Sequence, residues 1–174
     1  MKEMLGEKYA AFYASYDLPK YQALRINPLK TERDTFLLKA PFSLNRVPWT
    51  TNGYYYSGND QPGRHPYHEA GVYYIQEPSA MAPAEYLMAE PGERILDLCA
   101  APGGKSTQIA CSMQGEGLIV CNEIHLARAK ILSENIERMG VCNALVTNET
   151  PQKLSDNFRE YFDRILVDAP CSGE

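Results

Sequence analysis

The chain has 174 residues, of which 44% are apolar and 22% charged, and its net charge is −5. These values suit a globular chain in water, one domain or a small domain with part of another. They exclude a bilayer span, since no apolar run is long enough, and the stretch 1–8 lacks the apolar core of a secretion signal.

The five cysteines are Cys99, Cys111, Cys121, Cys142 and Cys171. Their odd number and the lack of any C-x-x-C pair are unlike a disulfide scaffold or a zinc site. A reduced, cytoplasmic setting and no metal are expected. Residues 1–68 hold nine Lys/Arg and six Asp/Glu, whereas residues 69–174 hold eight and sixteen. A mildly basic front and an acidic back fit two parts with different work, divided at 68/69, although ordinary solvated surfaces would give the same balance.

In chain order, Leu5, Tyr9, Phe12, Tyr13 and Tyr16 have the spacing of an amphipathic helix over 1–16, ended by Pro19. Residues 21–26 read as a strand, and Asn27-Pro28 as a turn. Thr31 is placed to cap a helix over 32–39. The Gly-, Pro-, Asn- and Tyr-rich stretch 52–68 reads as loops with short strands and as the joint. A helix over 80–88 follows, closed by Pro91-Gly92. Then strand and helix alternate: strand 94–98, helix 105–113, strand 117–121, helix 125–139 stopped by Gly140, strand 144–147 and strand 164–167. That rhythm predicts an α/β fold, a parallel sheet with helices on both faces, behind a small α+β part.

The most informative motif is Asp97-Leu98-Cys99-Ala100-Ala101-Pro102-Gly103-Gly104-Lys105-Ser106, between the first strand of this series and its helix. In doubly wound folds a cofactor sits on that turn. Small residues let the backbone approach it closely, and free N–H groups at the helix start favour an anionic group. The spacing is neither that of a P-loop nor G-x-G-x-x-G, which argues against nucleoside triphosphates and dinucleotides. Glu123, just after the second strand, is placed to accept hydrogen bonds from both ribose hydroxyls of a nucleoside cofactor. The plainer role for Glu123 is a charge at a helix start. Arg128, one turn on, either supports that pocket or lies on a solvated face.

The 97–106 motif resembles the cofactor motif of the Nop/Sun family of RNA 5-methylcytosine methyltransferases, of the bacterial ribosomal RNA type. Leu24-Arg25-Ile26-Asn27-Pro28-Leu29-Lys30 is similar to the family's N-terminal signature. Tyr74-Ile75-Gln76-Glu77-Pro78-Ser79-Ala80 resembles its lead-in to the catalytic domain, and Asp168-Ala169-Pro170-Cys171-Ser172-Gly173 its Asp-Ala-Pro-Cys-Ser-Gly motif. The resemblance covers most of the chain in the family's order. It implies a Rossmann-like sheet that binds S-adenosylmethionine over Cys99, Ala100, Ala101, Pro102, Gly103, Gly104 and Lys105, with Glu123, Arg128, Asn148 and Asp168 as further contacts. Asn148 departs from the family, which more often has an aspartate there; an amide carbonyl still serves the adenine amino group. A sheet of this type usually has about seven strands, so its later strands are expected past Glu174, and these 174 residues alone are expected not to methylate RNA.

Carbon 5 of cytosine is a poor nucleophile until a thiolate adds to carbon 6 and makes it enamine-like. The resemblance gives Asp168 a hydrogen bond to the cytosine ring. It gives the attack to a Thr-Cys motif, a pair that does not occur in this chain, and release of the product to Cys171. From the residues alone Cys171 could itself attack. The other cysteines read as packing residues.

Lys20, Arg25, Lys30, Arg33, Lys39, Arg46, Arg64, His65 and His68 are interleaved with Tyr54-Tyr55-Tyr56, Tyr67, Tyr73 and Tyr74. Cations pair with phosphates and tyrosines stack on unpaired bases. About a third of this set is expected to touch RNA and the rest to pack in a small core. The expected partner is ribosomal RNA and the expected state a monomer. Two other readings are a Rossmann methyltransferase acting on DNA or protein, and an inactive cofactor- or RNA-binding scaffold.

Overall fold

The computed structural model describes residues 1–18 and 20–169. Its first segment is broken: α1 (Lys2–Leu5), a 3₁₀ turn at Gly6–Lys8, α2 (Tyr9–Ala14) and a second 3₁₀ turn at Ser15–Asp17. None of its residues is buried, so its aromatic residues mostly meet one another, as Tyr9 meets Tyr13 and Phe12 meets Tyr16.

The front part is a sheet of four antiparallel strands. β1 (Ala23–Ile26) is followed by α3 (Arg33–Lys39), β2 (Leu44–Arg46), β3 (Gly53–Tyr56), α4 (Pro66–Glu69) and β4 (Tyr73–Ile75). The strand order is β2-β3-β1-β4. Two expectations change. The N-cap of α3 is Glu32, not Thr31, and its side chain makes no capping hydrogen bond. The front sheet also runs past the division expected at His68, because Tyr73, Tyr74 and Ile75 pair with Ile26, Arg25 and Leu24. Leu24, Ile26, Phe36, Tyr54 and Tyr73 form the core on one sheet face.

A 3₁₀ turn at Ser79–Met81 leads into α5 (Ala82–Leu87). Then come β5 (Arg94–Asp97), α6 (Gly104–Met113), β6 (Leu118–Asn122), α7 (Leu126–Met139), β7 (Ala144–Thr147), α8 (Pro151–Asn157) and β8 (Arg164–Leu166). All pairings are parallel, in the order β7-β6-β5-β8, as the alternation predicts. α5, α6 and α7 cover one face through Ala84, Ile109, Ala110, Met113, Leu132 and Ile136. On the other face Leu154 of α8, with Phe158 and Phe162, packs on Leu96 and Val120, while Ile165 and Val167 stay exposed. Gly140 ends α7 in the left-handed conformation, at φ 74°. The chain is thus an antiparallel front sheet followed by a Rossmann-like parallel sheet. None of the described helices is long and apolar enough to cross a membrane.

Side chains of β1 tie the two parts together. Arg25, 1% exposed, donates from Nε to Gln76 Oε1 (3.0 Å) and from Nη2 to Thr107 Oγ1 (2.8 Å) and the Gly104 carbonyl (3.1 Å). Asn27 Nδ2 donates to the carbonyls of Gly71 and Met139, each at 2.8 Å. At this joint Gly71 has φ +69°, and a Cβ there would lie 2.0 Å from the Arg138 carbonyl oxygen, so only glycine fits.

Candidate cofactor and base-binding site

Register assembles the site. Asp97 lies opposite Cys121 on one neighbour and Leu166 on the other. Two residues further along each chain, Cys99, Glu123 and Asp168 therefore emerge together at the carboxyl end of the sheet. There the helix after β5 covers one face and α8 the other, the usual place for a ligand in an open α/β sheet.

The glycine turn leaves β5 through Ala100, whose N–H donates to the Asn122 carbonyl at 2.8 Å, and the Ala101–Pro102 peptide is cis. Gly103 caps α6 at φ +110°, a conformation strained for other residues; a Cβ there would lie 3.2 Å from Leu132 Cδ1. α7 holds the back of the turn, since Arg128 Nη2 donates to the Ala101 carbonyl (2.8 Å) and Asn135 Nδ2 to the Pro102 carbonyl (2.8 Å). Arg128 also pairs with Glu123 Oε2 at 3.2 Å. The Glu123 side chain is only 3% exposed, and its Oε1 accepts from the His125 N–H at 2.9 Å.

Two hollows flank this turn. One, of about 230 Å³, is lined by Tyr74, Gln76, Glu77, Cys99, Lys105 and Asp168, among others. The smaller, of about 80 Å³, is lined by Leu98, Cys99, Asn122, Glu123 and His125, among others. Across the larger one Lys105 Nζ meets Asp168 Oδ2 at 2.6 Å. Burial works to raise the Glu77 carboxyl, but hydrogen bonds from Ser79 and the Ala80 N–H hold it below its ordinary range. Burial, with the charges of Asp97, Glu123 and Asp168, pushes the Cys99 thiol up, away from nucleophile behaviour.

Asn148 Nδ2 donates to the Glu123 carbonyl at 2.7 Å, which leaves its Oδ1 for another donor. Cys171 lies outside the described residues. Of the basic and aromatic front, Arg25, Tyr54 and Tyr73 are buried and face no solvent; Tyr74, also buried, lines the larger hollow.

Two residues escaped the sequence reading. Asn122 stitches the strand ends: Nδ2 donates to the carbonyls of Leu98 (3.2 Å) and Glu149 (3.0 Å), and Oδ1 accepts from Thr147 Oγ1 (2.9 Å). Asp97 is fully buried; Ser106 Oγ donates to its Oδ2 at 2.7 Å, but its Oδ1 has no partner among the described residues. Its place at the head of the motif was the available signal for it. The fit to a nucleoside cofactor with a positively charged side arm is good. A buried carboxylate offers hydroxyl-binding oxygens at Glu123, and a second has an oxygen still to be satisfied at Asp97.

Residues 84–174 match the family described as 16S rRNA methyltransferase RsmB/F. The chain belongs to that family. Residues 1–78 match the N-terminal domain of 16S rRNA methyltransferase RsmF. Among curated RsmB/F relatives, Ribosomal RNA small subunit methyltransferase F of Citrobacter koseri is 41% identical over 172 residues, 94% of this chain and 36% of that protein. The Escherichia coli O157:H7 protein of the same name is 40% identical over the same shares. The chain thus spans about a third of the length of the curated relatives it matches. A methyltransferase homolog protein from Pyrococcus horikoshii superposes with a TM-score of 0.87 at 32% identity, over 97% of this chain and 56% of that one. NSun6 from the same organism, solved with SFG, has a TM-score of 0.84 at 20% identity, over 98% and 68%, and so shares the fold.

Proposed function

We propose that this chain serves S-adenosylmethionine-dependent methylation of carbon 5 of a cytosine in 16S ribosomal RNA. The observation that carries this reading is the shared level of Cys99, Glu123 and Asp168 at three neighbouring strand ends, with Lys105 paired to Asp168 across the larger hollow. S-adenosylmethionine, when bound, supplies an electrophilic methyl group. The backbone of Cys99, Ala100, Ala101, Pro102, Gly103, Gly104 and Lys105 forms its cradle. Glu123 holds the ribose hydroxyls, Arg128 braces Glu123 against the turn, and Asn148 Oδ1 accepts from the adenine amino group. Asp168, steadied by the Lys105 ammonium, hydrogen-bonds the cytosine ring while a thiolate adds to carbon 6.

Replacing Glu123 by Ala in the full-length protein removes two hydrogen bonds to a charged group, each worth about 1.5–3 kcal/mol at most. Cofactor affinity should fall by at least about tenfold by calorimetry. Unchanged affinity would reject the ribose role. In the same protein Cys171→Ala should let a covalent RNA adduct accumulate as a slow band on a denaturing gel. Loss of the band would instead make Cys171 the attacking thiol.

A further inference from the structure

A third hollow lies at one end of the front sheet, with a volume of about 570 Å³. Leu18, Lys20, Tyr21, Gln22, Tyr55 and Tyr56 line it, and Lys20 is its only charged lining residue among those described. The Tyr21 and Tyr55 rings sit 5.5 Å apart, tilted by 52°. Tyr21 is 78% exposed, an unusual position for a large ring with no core to join.

Strand alternation says which way this hollow faces. Along β1 and the residues before it, Tyr21, Ala23 and Arg25 share one face. Arg25 reaches α6 from that face, and Tyr55 packs beside Ala23, Val47 and Met81. The tyrosines therefore lie on the side of the front sheet turned toward the parallel sheet. Pairing says how far they are from the site. The Tyr56 N–H donates to the Gln22 carbonyl at 3.1 Å, and the Gln76 N–H to the Ala23 carbonyl at 3.0 Å. Gln22–Ala23 thus stands between Tyr56 and Gln76, and Gln76 and Glu77 line the hollow that contains Lys105 and Asp168. Two strand spacings amount to about 10 Å. That spacing separates Tyr56 from Gln76, on the border of the hollow that Asp168 also lines, so one strand of RNA entering that hollow would pass beside the tyrosines.

We propose that Tyr21 and Tyr55 form a stacking subsite for an unpaired nucleotide flanking the target base, with Lys20 on its phosphate. This rests on the reading of the substrate as RNA. Aromatic rings that stack without reading base edges suit a flanking nucleotide, because every base has a π-face.

The test uses the full-length protein, transcribed 16S ribosomal RNA as probe, and S-adenosylmethionine binding measured in parallel. Tyr21→Ala should weaken RNA binding roughly 5- to 100-fold, with cofactor affinity and melting temperature unchanged. Tyr21→Phe, which keeps the ring, should bind RNA as the wild type does, and Lys20→Ala should flatten the salt dependence. RNA affinity unchanged in Tyr21→Ala overturns the subsite. So does an equal loss in Tyr21→Phe, which would mean a hydroxyl contact. A lowered melting temperature in Tyr21→Ala overturns it too, because the ring would then be packed against another part of the protein. A wild-type protein that binds cofactor but not RNA overturns the RNA reading itself, a different result from any of these.

Discussion

Replacing Arg25 by Ala is expected to cost about 3 kcal/mol, lowering the melting temperature of the chain by about 6–12 °C. Arg25 is among the largest fully buried side chains and, among the described residues, has no carboxylate within hydrogen-bonding distance. Burial pulls its guanidinium below the ordinary value, yet it bonds Gln76, Gly104 and Thr107 across the joint. Removing it leaves Gln76 Oε1 unpaired, at about 1–3 kcal/mol, takes one bond from Thr107 Oγ1 and one from the Gly104 carbonyl, which bond each other at 3.2 Å, and opens a cavity. Loss of the buried charge itself offsets part of that. Arg25→Met separates the contributions: it fills most of the volume but leaves Gln76 Oε1 unpaired and the joint without its three bonds, so it should recover only part of the loss. Because the Gly104 carbonyl belongs to the first turn of α6, cofactor affinity should fall along with stability in the Ala variant. Thermal melts within 2 °C of wild type, on the scale of about 0.5–1 kcal/mol, would show that the joint does not depend on this side chain.

The second large effect is a pH dependence centred on Asp97. Burial pushes its carboxyl up to about 6, against the opposing help of Ser106 and Lys105 and with the nearby charge of Asp168 adding to the rise. The folded chain therefore holds this proton more tightly than the unfolded chain does. The contribution is fully favourable below the unfolded value of 3.8 and is lost as pH rises through about 6. A shift of this size corresponds to up to about 3 kcal/mol. Asp97→Asn keeps an acceptor for Ser106 Oγ and has no charge to bury. The variant should be more stable than wild type at pH 7–8 by up to about that amount, with the difference vanishing near pH 4. Urea denaturation of both proteins between pH 4 and 8 measures it, and parallel stability curves would refute the assignment. A buried carboxylate that opposes folding at neutral pH is the kind of group that gathers at ligand sites.

By itself the sequence determined the part of this protein that depends on local preferences. The spacing of apolar residues, the small residues of the 97–106 turn and the stop at Gly140 decide which segments become strand or helix, and the β/α rhythm leaves a parallel sheet as the economical arrangement. Glu123 was legible because it lies one residue beyond its strand, where a parallel register must deliver it to the same end as Cys99. Tertiary structure decided what depends on distant neighbours. Tyr73–Ile75 is too short to reveal its partner, and only pairing with β1 assigns it to the front sheet. Arg25 and Asn27 look like surface and turn residues until α6 and α7 close over them. Lys105 and Asp168 are far apart in sequence, so their contact waits on the β5–β8 pairing. Asp97 is an ordinary acid until burial removes its water, because desolvation is a property of everything packed around a group, and no stretch of sequence contains it.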